Sequence, residues 1–208
     1  MMNALSPLVQ LVDDDEAVRE SLALLLSTVG LRVAAWPDGA AFLEGFDRGA
    51  IGAILLDVRM PGLGGLAVIE RLRGEGADQP VIMLTGHGTV QACRRAFKAG
   101  AAEFLEKPVD DDLLIETVHE AIRGHLRSRE RLEADRGARE RFGRLTTRER
   151  EVFALVIQGM TSKEVARALA ISPRTVETYR ASFSAKLECD SLALLVRHYA
   201  ALAADDAA

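Results

Sequence analysis

A short apolar run in the first half of the chain constrains the fold more than any other feature. The segment Ile54–Gly62 reads ILLDVRMPG, and an apolar run that ends in turn residues is typical of a strand buried on both faces of a parallel sheet. Asp57 stands at the carboxyl end of this strand, where open parallel sheets place their ligand crevice. Taken alone, the segment leaves two interpretations of Asp57: a turn or helix-capping residue, or a reactive carboxylate.

Further strands are predicted on both sides of this segment. Apolar stretches at Leu8–Val12, Leu31–Trp36, Pro80–Thr85 and Glu103–Leu105 have the length of strands, and a stretch with helical spacing follows each of them. Strands that alternate with helices form a parallel, doubly wound sheet, and right-handed crossovers limit its topology. We predict an α/β domain with a flavodoxin-like strand order 2-1-3-4-5 over residues 1–125, in which strands 1 and 3 are neighbours.

Side chains suited to a cation and a phosphoryl group stand at the ends of these strands. Asp13 and Asp14 follow strand 1, so this order places them near Asp57. Three carboxylates in one crevice raise one another's pKa unless a cation neutralises them, and Mg²⁺ fits such oxygen ligands best. Thr85 and Lys107 end strands 4 and 5, where a hydroxyl and an ammonium stabilise phosphoryl charge. Taken singly, Thr85 is more simply interpreted as a helix cap and Lys107 as a solvated loop lysine.

Residues 7–125 resemble the receiver domain of bacterial two-component response regulators. The resemblance rests on four motifs: VDDD at 12–15, LDVRMPG at 56–62, TGHG at 85–88 and FLEKP at 104–108. It implies that Asp57 accepts a phosphoryl group from a sensor histidine kinase. It also implies that Asp14, Asp57 and the carbonyl of Arg59 bind Mg²⁺ directly, with Asp13 bound through water.

The same resemblance assigns a switching role to residues beside the phosphoryl group. Thr85 would donate a hydrogen bond to a phosphoryl oxygen, and Lys107 would pair with the phosphoryl group. The Lys107–Pro108 peptide bond is expected to be cis. Phe104 occupies the family's switch position, although by itself it would be an ordinary edge-strand aromatic. Phosphorylation would pull Thr85 inward, admit Phe104 into the space it leaves and change the face formed by helix 4 and strand 5.

Three further positions lie beside the expected phosphoryl group. Gly86 leaves room next to it. The side chains of Arg59 and His87 are placed to reach it, and we expect them to set how long the acyl phosphate survives.

The stretch that follows the receiver predicts a solvated helix. Ten of the fifteen residues 127–141 are charged, and three pairs have opposite charges at i, i+4: Arg129–Glu133, Arg131–Asp135 and Arg136–Glu140. A coiled coil needs a sustained apolar seam, and after Leu126 the residue Leu132 alone continues one. We therefore predict that residues 126–142 form a helical linker with a weak point at Gly137, rather than a dimeric coiled coil.

Three helix starts follow one another closely in the last third of the chain. Thr146–Glu149 and Thr161–Glu164 have the pattern of capping boxes, and Ser172–Pro173 places a good N-cap before proline at the first helical position. Two helices joined by a tight turn within about 25 residues are typical of a helix-turn-helix motif. Capping boxes are common, so a small helical bundle with a charged surface is the alternative.

The third of these helices is predicted to carry the functional surface. Val176, Phe183 and Leu187 fall on one face, which we expect to be buried. The residues expected on or beside the opposite face, together with one on the preceding helix, are Lys163, Arg174, Thr175, Glu177, Thr178, Arg180, Ala181 and Lys186.

Residues 143–202 resemble the LuxR/FixJ-type DNA-binding domain. The resemblance rests on LTTREREV at 145–152, GMTSKEVA at 159–166, SPRTVETYR at 172–180 and KL at 186–187. It implies an all-α, four-helix domain over residues 143–208 whose third helix enters the major groove of double-stranded operator DNA. Phosphate contacts are expected from Lys163, Thr175, Arg180 and Lys186, and base contacts from Arg174, Glu177 and Thr178. A dimer contact on the fourth helix, Leu192–Ala200, is expected from Leu192, Leu195, Val196 and Tyr199.

The sequence departs from this family at two positions of the third helix. Many relatives carry a basic residue where Glu177 stands and a histidine where Tyr179 stands. Glu177 is therefore predicted either to accept a hydrogen bond from cytosine N4 or to pair with Arg174.

Charge divides the chain into two parts with different expected partners. Residues 1–138 carry 15 Lys and Arg against 22 Asp and Glu, whereas residues 139–208 carry 11 against 9. Cys93 and Cys189 have no partner at the spacing of a zinc site or a disulfide framework. Because neither a signal peptide nor an apolar stretch of membrane-spanning length is apparent, we expect a cytoplasmic protein without a membrane partner.

The order of the two resemblances predicts a FixJ-type transcriptional regulator. Phosphorylation of Asp57 is expected to favour a homodimer and operator binding, with RNA polymerase as a further candidate partner. One alternative is a DNA-binding protein with an inert receiver. Another is a Mg²⁺-dependent phosphohydrolase with Asp57 as its nucleophile. No general acid for such an enzyme is found, so we predict that the chain is not one.

Overall fold

Strands and helices alternate along the first half of the chain. The structure, a computed structural model, describes residues 7–86 and 88–205 and divides into two units after Arg129. The elements that begin in the first unit are β1 (Leu8–Val12), α1 (Glu16–Thr28), β2 (Arg32–Trp36), α2 (Gly39–Gly45), β3 (Gly52–Asp57), α3 (Gly65–Gly74), β4 (Val81–Thr85), α4 (Val90–Ala99), β5 (Glu103–Glu106) and α5 (Asp111–Gly143). The strands are parallel in the order β2-β1-β3-β4-β5, which confirms the predicted fold class.

The two faces of the sheet are covered by different helices. Alternate residues along each strand point to opposite faces, so Leu55 packs with α1 and α5 while Ile54 and Leu56 pack with α2, α3 and α4. All six residues of β3 are buried. The continuous apolar run of the sequence therefore reflects a central strand that has no solvent-facing side.

The connection after β3 is fixed by close packing of backbone on backbone. At Gly65, the first residue of α3, an added Cβ would lie 2.2 Å from the carbonyl oxygen of Asp57. The amide of Gly65 also donates to the carbonyl of Val58 at 3.1 Å. Because only glycine permits this approach, α3 begins directly against the turn that carries Asp57.

Helix α5 contributes residues to both units. Within the first unit, Arg129 donates to Asp78 at 2.7 Å and to the carbonyl of Arg48 at 2.7 Å, and so Asp78 takes the place of the Glu133 partner predicted from i, i+4 spacing. The predicted pair of Arg136 with Glu140 does form, at 3.2 Å.

The C-terminal end of α5 belongs to the core of the second unit. Ala138 and Phe142 are 7% and 6% exposed, and they pack with Phe153 and Tyr199. Part of the stretch expected to be a solvated linker over residues 126–142 is therefore apolar and buried.

The second unit has four further helices among residues 130–205: α6 (Thr147–Ile157), α7 (Ser162–Ala168), α8 (Pro173–Leu187) and α9 (Leu192–Asp205). Both predicted capping boxes form, at Thr146 and at Thr161, and Ser172 caps α8 by accepting from the amide of Thr175 at 3.0 Å. The turn between α7 and α8 contains Ala170 at a φ of 54°. These features give the predicted helix-turn-helix. Among residues 7–86 and 88–205, none of the helices combines the length and the apolar composition of a membrane span.

Candidate phosphoacceptor site and DNA-binding surface

Asp57 lies at the carboxyl-terminal end of the sheet, where the parallel strands β1, β3, β4 and β5 finish side by side. It is the last residue of β3 and is 6% exposed. Asp13 follows β1 and is 1% exposed, and Thr85 ends β4 and is 2% exposed. Lys107 follows β5, and its amide donates to the carbonyl of Thr85 at 2.7 Å. The parallel order thus brings the predicted phosphoacceptor, one carboxylate, the hydroxyl and the lysine to one edge.

Lys107 joins the two buried carboxylates of this site. Its Nζ donates to Oδ1 of Asp57 at 2.5 Å and also to Oδ2 of Asp13. The Lys107–Pro108 peptide bond is cis, as expected. One ammonium against two carboxylates leaves the group with a net negative charge when all three are ionised.

The remaining carboxylate oxygens face backbone amides. The amide of Arg59 donates to Oδ2 of Asp57 at 2.5 Å, and the amide of Asp15 donates to Oδ1 of Asp13 at 3.1 Å. Burial raises the pKa of Asp57 above its usual range, against the lowering effect of Lys107 and the Arg59 amide. Burial would lower the pKa of Lys107, but its hydrogen bonds to the two carboxylates raise it.

The donor set at this edge fits a hard divalent cation. Mg²⁺ binds through one or two carboxylates and keeps several waters, and Asp13 and Asp57 are two adjacent buried carboxylates whose charge Lys107 only half balances. Asp14, which the sequence placed beside them, is exposed. Over residues 7–86 and 88–205, no group of three or more Asp, Glu, His or Cys converges as a metal cage.

The other residues predicted to take part in the switch are Phe104, Gly86 and His87. Phe104 is partly buried and packs against the core on the α3 and α4 face of the sheet. Gly86 is exposed, and a Cβ there would lie 3.7 Å from Nη2 of Arg59, so the arginine side chain reaches the loop after β4. His87 lies outside the described residues. Glu106, which sequence reasoning missed, accepts from the amide of Gly88 at 2.9 Å and ties this loop to β5.

The outward face of α8 is the one that its periodicity predicts. Val176, Phe183 and Leu187 are buried in the core of the second unit. The four residues expected on the opposite face are all exposed: Arg174, Glu177, Thr178 and Ala181. Lys163 is exposed in the first turn of α7.

Lys186, from which a phosphate contact was expected, binds a buried carboxylate of its own unit. Its Nζ donates to both carboxylate oxygens of Glu149, at 2.8 and 2.6 Å, and the Glu149 side chain is 4% exposed. A buried carboxylate that lost this partner would be left uncompensated, so Lys186 holds the fold of the unit. Thr175 also has a local role, because its hydroxyl lies 2.8 Å from Oγ of Ser172 in the cap of α8.

Glu177 has a partner that the sequence analysis did not foresee. Oγ of Ser162, the first residue of α7, donates to Oε1 of Glu177. The same hydroxyl accepts from Nη1 of Arg180 at 3.4 Å. Within the described ranges no ion pair joins Glu177 to Arg174, the alternative that helical spacing suggested. Two residues fifteen positions apart on different helices give no periodic signal, which is why Ser162 was missed.

Two of the four expected dimer residues are buried within the second unit. Leu195 and Tyr199 are 3% and 2% exposed. The Tyr199 hydroxyl donates to the carbonyl of Leu187 at 3.0 Å and accepts from Nε of Arg141 at 3.0 Å. Leu192 and Val196 are exposed, at 43% and 39%. An apolar helical pattern cannot distinguish a face that packs inside its own unit from one that packs on a partner.

Comparison with known proteins finds two families along the chain. The family described as response regulator receiver domain matches residues 9–119, and the family described as bacterial regulatory proteins, luxR family, matches residues 144–199. The transcriptional regulatory protein FixJ of Azorhizobium caulinodans is 44% identical over 192 residues, which cover 91% of this chain and 90% of that protein.

Solved structures of two similar regulators also match nearly the whole chain. The response regulator StyR is 35% identical, with a TM-score of 0.83 over 92% of this chain and 97% of that one. Full-length FixJ from B. japonicum is 37% identical, with a TM-score of 0.59 over 94% of this chain and 96% of that one.

The fold and the two sites define a receiver domain joined to a helix-turn-helix DNA-binding domain, the plan of a two-component response regulator. The chain belongs to the FixJ family of these regulators. It is a transcriptional regulator rather than an enzyme, with a sensor kinase and DNA as its partners, and it acts through phosphorylation of its receiver.

Proposed function

We propose that Asp57 is the phosphoacceptor of this regulator. The observation that carries the proposal is the placement of a buried carboxylate at the end of β3, 2.5 Å from the ammonium of Lys107 and beside the second buried carboxylate, Asp13. An oxygen of Asp57 attacks the phosphorus of a phosphohistidine on the kinase. The P–N bond breaks, the imidazole leaves, and an acyl phosphate forms on Asp57.

The cation proposed for this step is Mg²⁺. Asp13, Asp14, Asp57 and the Arg59 carbonyl would hold it, and the ion would supply positive charge against the phosphoryl oxygens. Lys107 sits between the two buried carboxylates, so its ammonium is already in place to pair with an oxygen of the incoming group.

The proposed output is a change in the loop and strand that follow the site. Thr85 donates to a phosphoryl oxygen, and Phe104 moves into the space that Thr85 leaves. The side chain of Arg59 lies near Gly86, and with His87 it sets the lifetime of the acyl phosphate.

DNA recognition is proposed for the exposed face of α8 and the start of α7. Arg174, Glu177 and Thr178 contact base edges in the major groove. Lys163 and Arg180 contact phosphates. Lys186 is left out of this assignment because it binds the buried Glu149.

Phosphorylation is proposed to favour a homodimer that reads two half-sites. Within α9, Leu192 and Val196 are the exposed apolar residues among those predicted for this contact. RNA polymerase is a candidate further partner. The cytoplasm is the proposed location, because the operator DNA of a bacterial regulator lies there.

The test is intact mass after exposure to acetyl phosphate and Mg²⁺. Wild type should gain one phosphoryl group, Asp57→Asn should gain none, and the control Asp112→Asn, an exposed carboxylate at the start of α5, should behave as wild type. Light scattering on the same samples should show a higher molar mass with the adduct. An adduct that persists in Asp57→Asn contradicts the assignment of the phosphoacceptor.

A further inference from the structure

Ser162 lies between the two helices of the helix-turn-helix and contacts one residue of the base-reading face. We propose that Ser162 is a positioning residue for DNA recognition, which holds the carboxylate of Glu177 toward the base edge. The inference rests on the proposed role of Glu177 in base contact. It adds a residue of α7 that sets which base α8 prefers.

The contacts of the Ser162 hydroxyl define its role. A hydroxyl has one proton to donate and two lone pairs that accept. The proton goes to Oε1 of Glu177, and a lone pair accepts from Nη1 of Arg180 at 3.4 Å. The hydroxyl therefore stands between an anion and a cation of the same helix.

Without this hydroxyl, Glu177 would have other partners close at hand. Arg174 and Arg180 each lie three residues from it along α8, a spacing at which opposite charges pair on a helix surface. Glutamate also has three rotatable bonds, and an exposed carboxylate that is not held samples many rotamers. The bond from Ser162 fixes Oε1 and leaves Oε2 free to accept from a base.

The chemistry of the held carboxylate selects one kind of base. A carboxylate accepts but cannot donate, and in the major groove it recognises the N4 amino group of cytosine. Keeping the carboxylate over the bases also keeps it from the phosphates, which would repel it. Ser162 should therefore affect the choice of base at one position, rather than affinity for all DNA.

Two other roles for Ser162 make different predictions. A hydroxyl that contacts a DNA phosphate would contribute equally on every sequence and, because it carries no charge, would leave the salt dependence of binding unchanged. A hydroxyl that only joins α7 to α8 would change the unfolding temperature and leave the order of base preference unchanged.

The experiment uses the full chain activated with beryllofluoride and a randomised double-stranded DNA library. Sites enriched by wild type are remade with each base at every position, and binding is measured for Ser162→Ala, Ser162→Thr, Glu177→Ala and the double variant. Ser128→Ala is the control, because this serine is exposed on α5. Unfolding temperatures are measured for every variant.

We expect Ser162→Ala to weaken the preference for cytosine at one position by about five-fold, the worth of one ordinary hydrogen bond. Ser162→Thr, which keeps the hydroxyl, should restore it, and Ser128→Ala should leave it unchanged. In the Glu177→Ala background the change at Ser162 should have no further effect on preference. Glu177→Gln tests the same pair from the other side and should shift the preference toward adenine, which an amide recognises.

Three results overturn the inference: an equal loss on all sequences, an undiminished effect in the Glu177→Ala background, or an unchanged base preference in Ser162→Ala. A wild-type chain that enriches no sequence would instead overturn the proposed DNA recognition as a whole. That result differs from the first three, which all require a wild-type chain with a preferred site.

Discussion

The substitution Glu149→Gln should destabilise the second unit in a way that depends on pH. Glu149 is the third residue of α6 and is 3% exposed. Its carboxylate accepts from Lys186 Nζ at 2.8 and 2.6 Å, from Ser182 Oγ at 2.6 Å and from the Thr146 amide at 2.7 Å. One side chain thus caps α6 and joins it to α8.

The magnitude follows from the ionisation of this carboxyl group. Burial alone would raise the pKa of Glu149, but the hydrogen bonds from Lys186, Ser182 and Thr146 outweigh it and lower the pKa from 4.5 to about 2. Each pKa unit is worth about 1.4 kcal/mol, so the ionised form stabilises the unit by about 3 kcal/mol. Because the pKa is lowered on folding, this stabilisation is present above about pH 4.5 and is lost as the pH falls toward 2.

Hydrogen exchange followed by mass spectrometry measures this locally in the full chain. At pH 7, peptides of α6 and α8 in Glu149→Gln should exchange as if the unit were less stable by roughly 2–3 kcal/mol. The difference from wild type should shrink as the pH is lowered below 4.5. Trp36, the single tryptophan of the chain, lies in β2 of the first unit, so its fluorescence should report an unchanged receiver.

The control is Glu151→Gln in the same helix. Glu151 pairs with Arg148 at 2.6 Å, but both side chains are exposed, and exposed pairs contribute at most about 1 kcal/mol. If Glu149→Gln behaves as Glu151→Gln does, or if its deficit grows as the pH falls, the reasoning from the buried carboxylate is refuted.

Two further predictions concern the receiver. Gly65→Ala places a Cβ 2.2 Å from the Asp57 carbonyl oxygen, so it should lower the free energy of unfolding, measured by urea and Trp36 fluorescence, by at least about 2 kcal/mol. The control is Gly74→Ala, whose added Cβ would have nothing within 4 Å and which should be neutral or stabilising by up to about 1 kcal/mol. Equal effects of the two substitutions would contradict the packing argument. Lys107→Met removes the ammonium shared by Asp57 and Asp13, so calorimetric titration should show tighter Mg²⁺ binding than wild type, and weaker binding would contradict the proposed ligands.

The receiver edge could be predicted from sequence because strand ends carry positional information. In a parallel sheet the carboxyl ends of neighbouring strands meet at one edge, so the positions of Asp13, Asp57, Thr85 and Lys107 after their strands were enough to bring them together. The exposure of Asp14 was not predictable in the same way. Adjacent residues point in different directions, and Asp14 lies beyond the end of β1, where the strand pattern no longer predicts the direction of a side chain.

The second unit shows where sequence reasoning lacked information. Periodicity identified the exposed face of α8 correctly, because burial of Val176 and Phe183 fixes the rotation of the helix. It could not identify the partner of a long side chain at the border of that face. Lys186 reaches back to Glu149, which the capping box had already assigned to Thr146. In the same way, periodicity marks Tyr199 as apolar without showing that its ring packs on Phe142.

The inward bond of Lys186 has a consequence for how this regulator would bind DNA. Each cation that contacts a phosphate adds to an affinity that does not depend on sequence, and Lys186 is not among the cations to which the proposed function assigns this contact. Lys163 and Arg180 remain for the phosphates in the proposed function, so a single unit should hold DNA weakly. In a dimer, the DNA-binding units of the two protomers are linked, so binding of the first raises the effective concentration of the second at its half-site. A domain that binds weakly alone therefore makes operator occupancy depend on dimerisation, and this is the step that phosphorylation of the receiver is proposed to control.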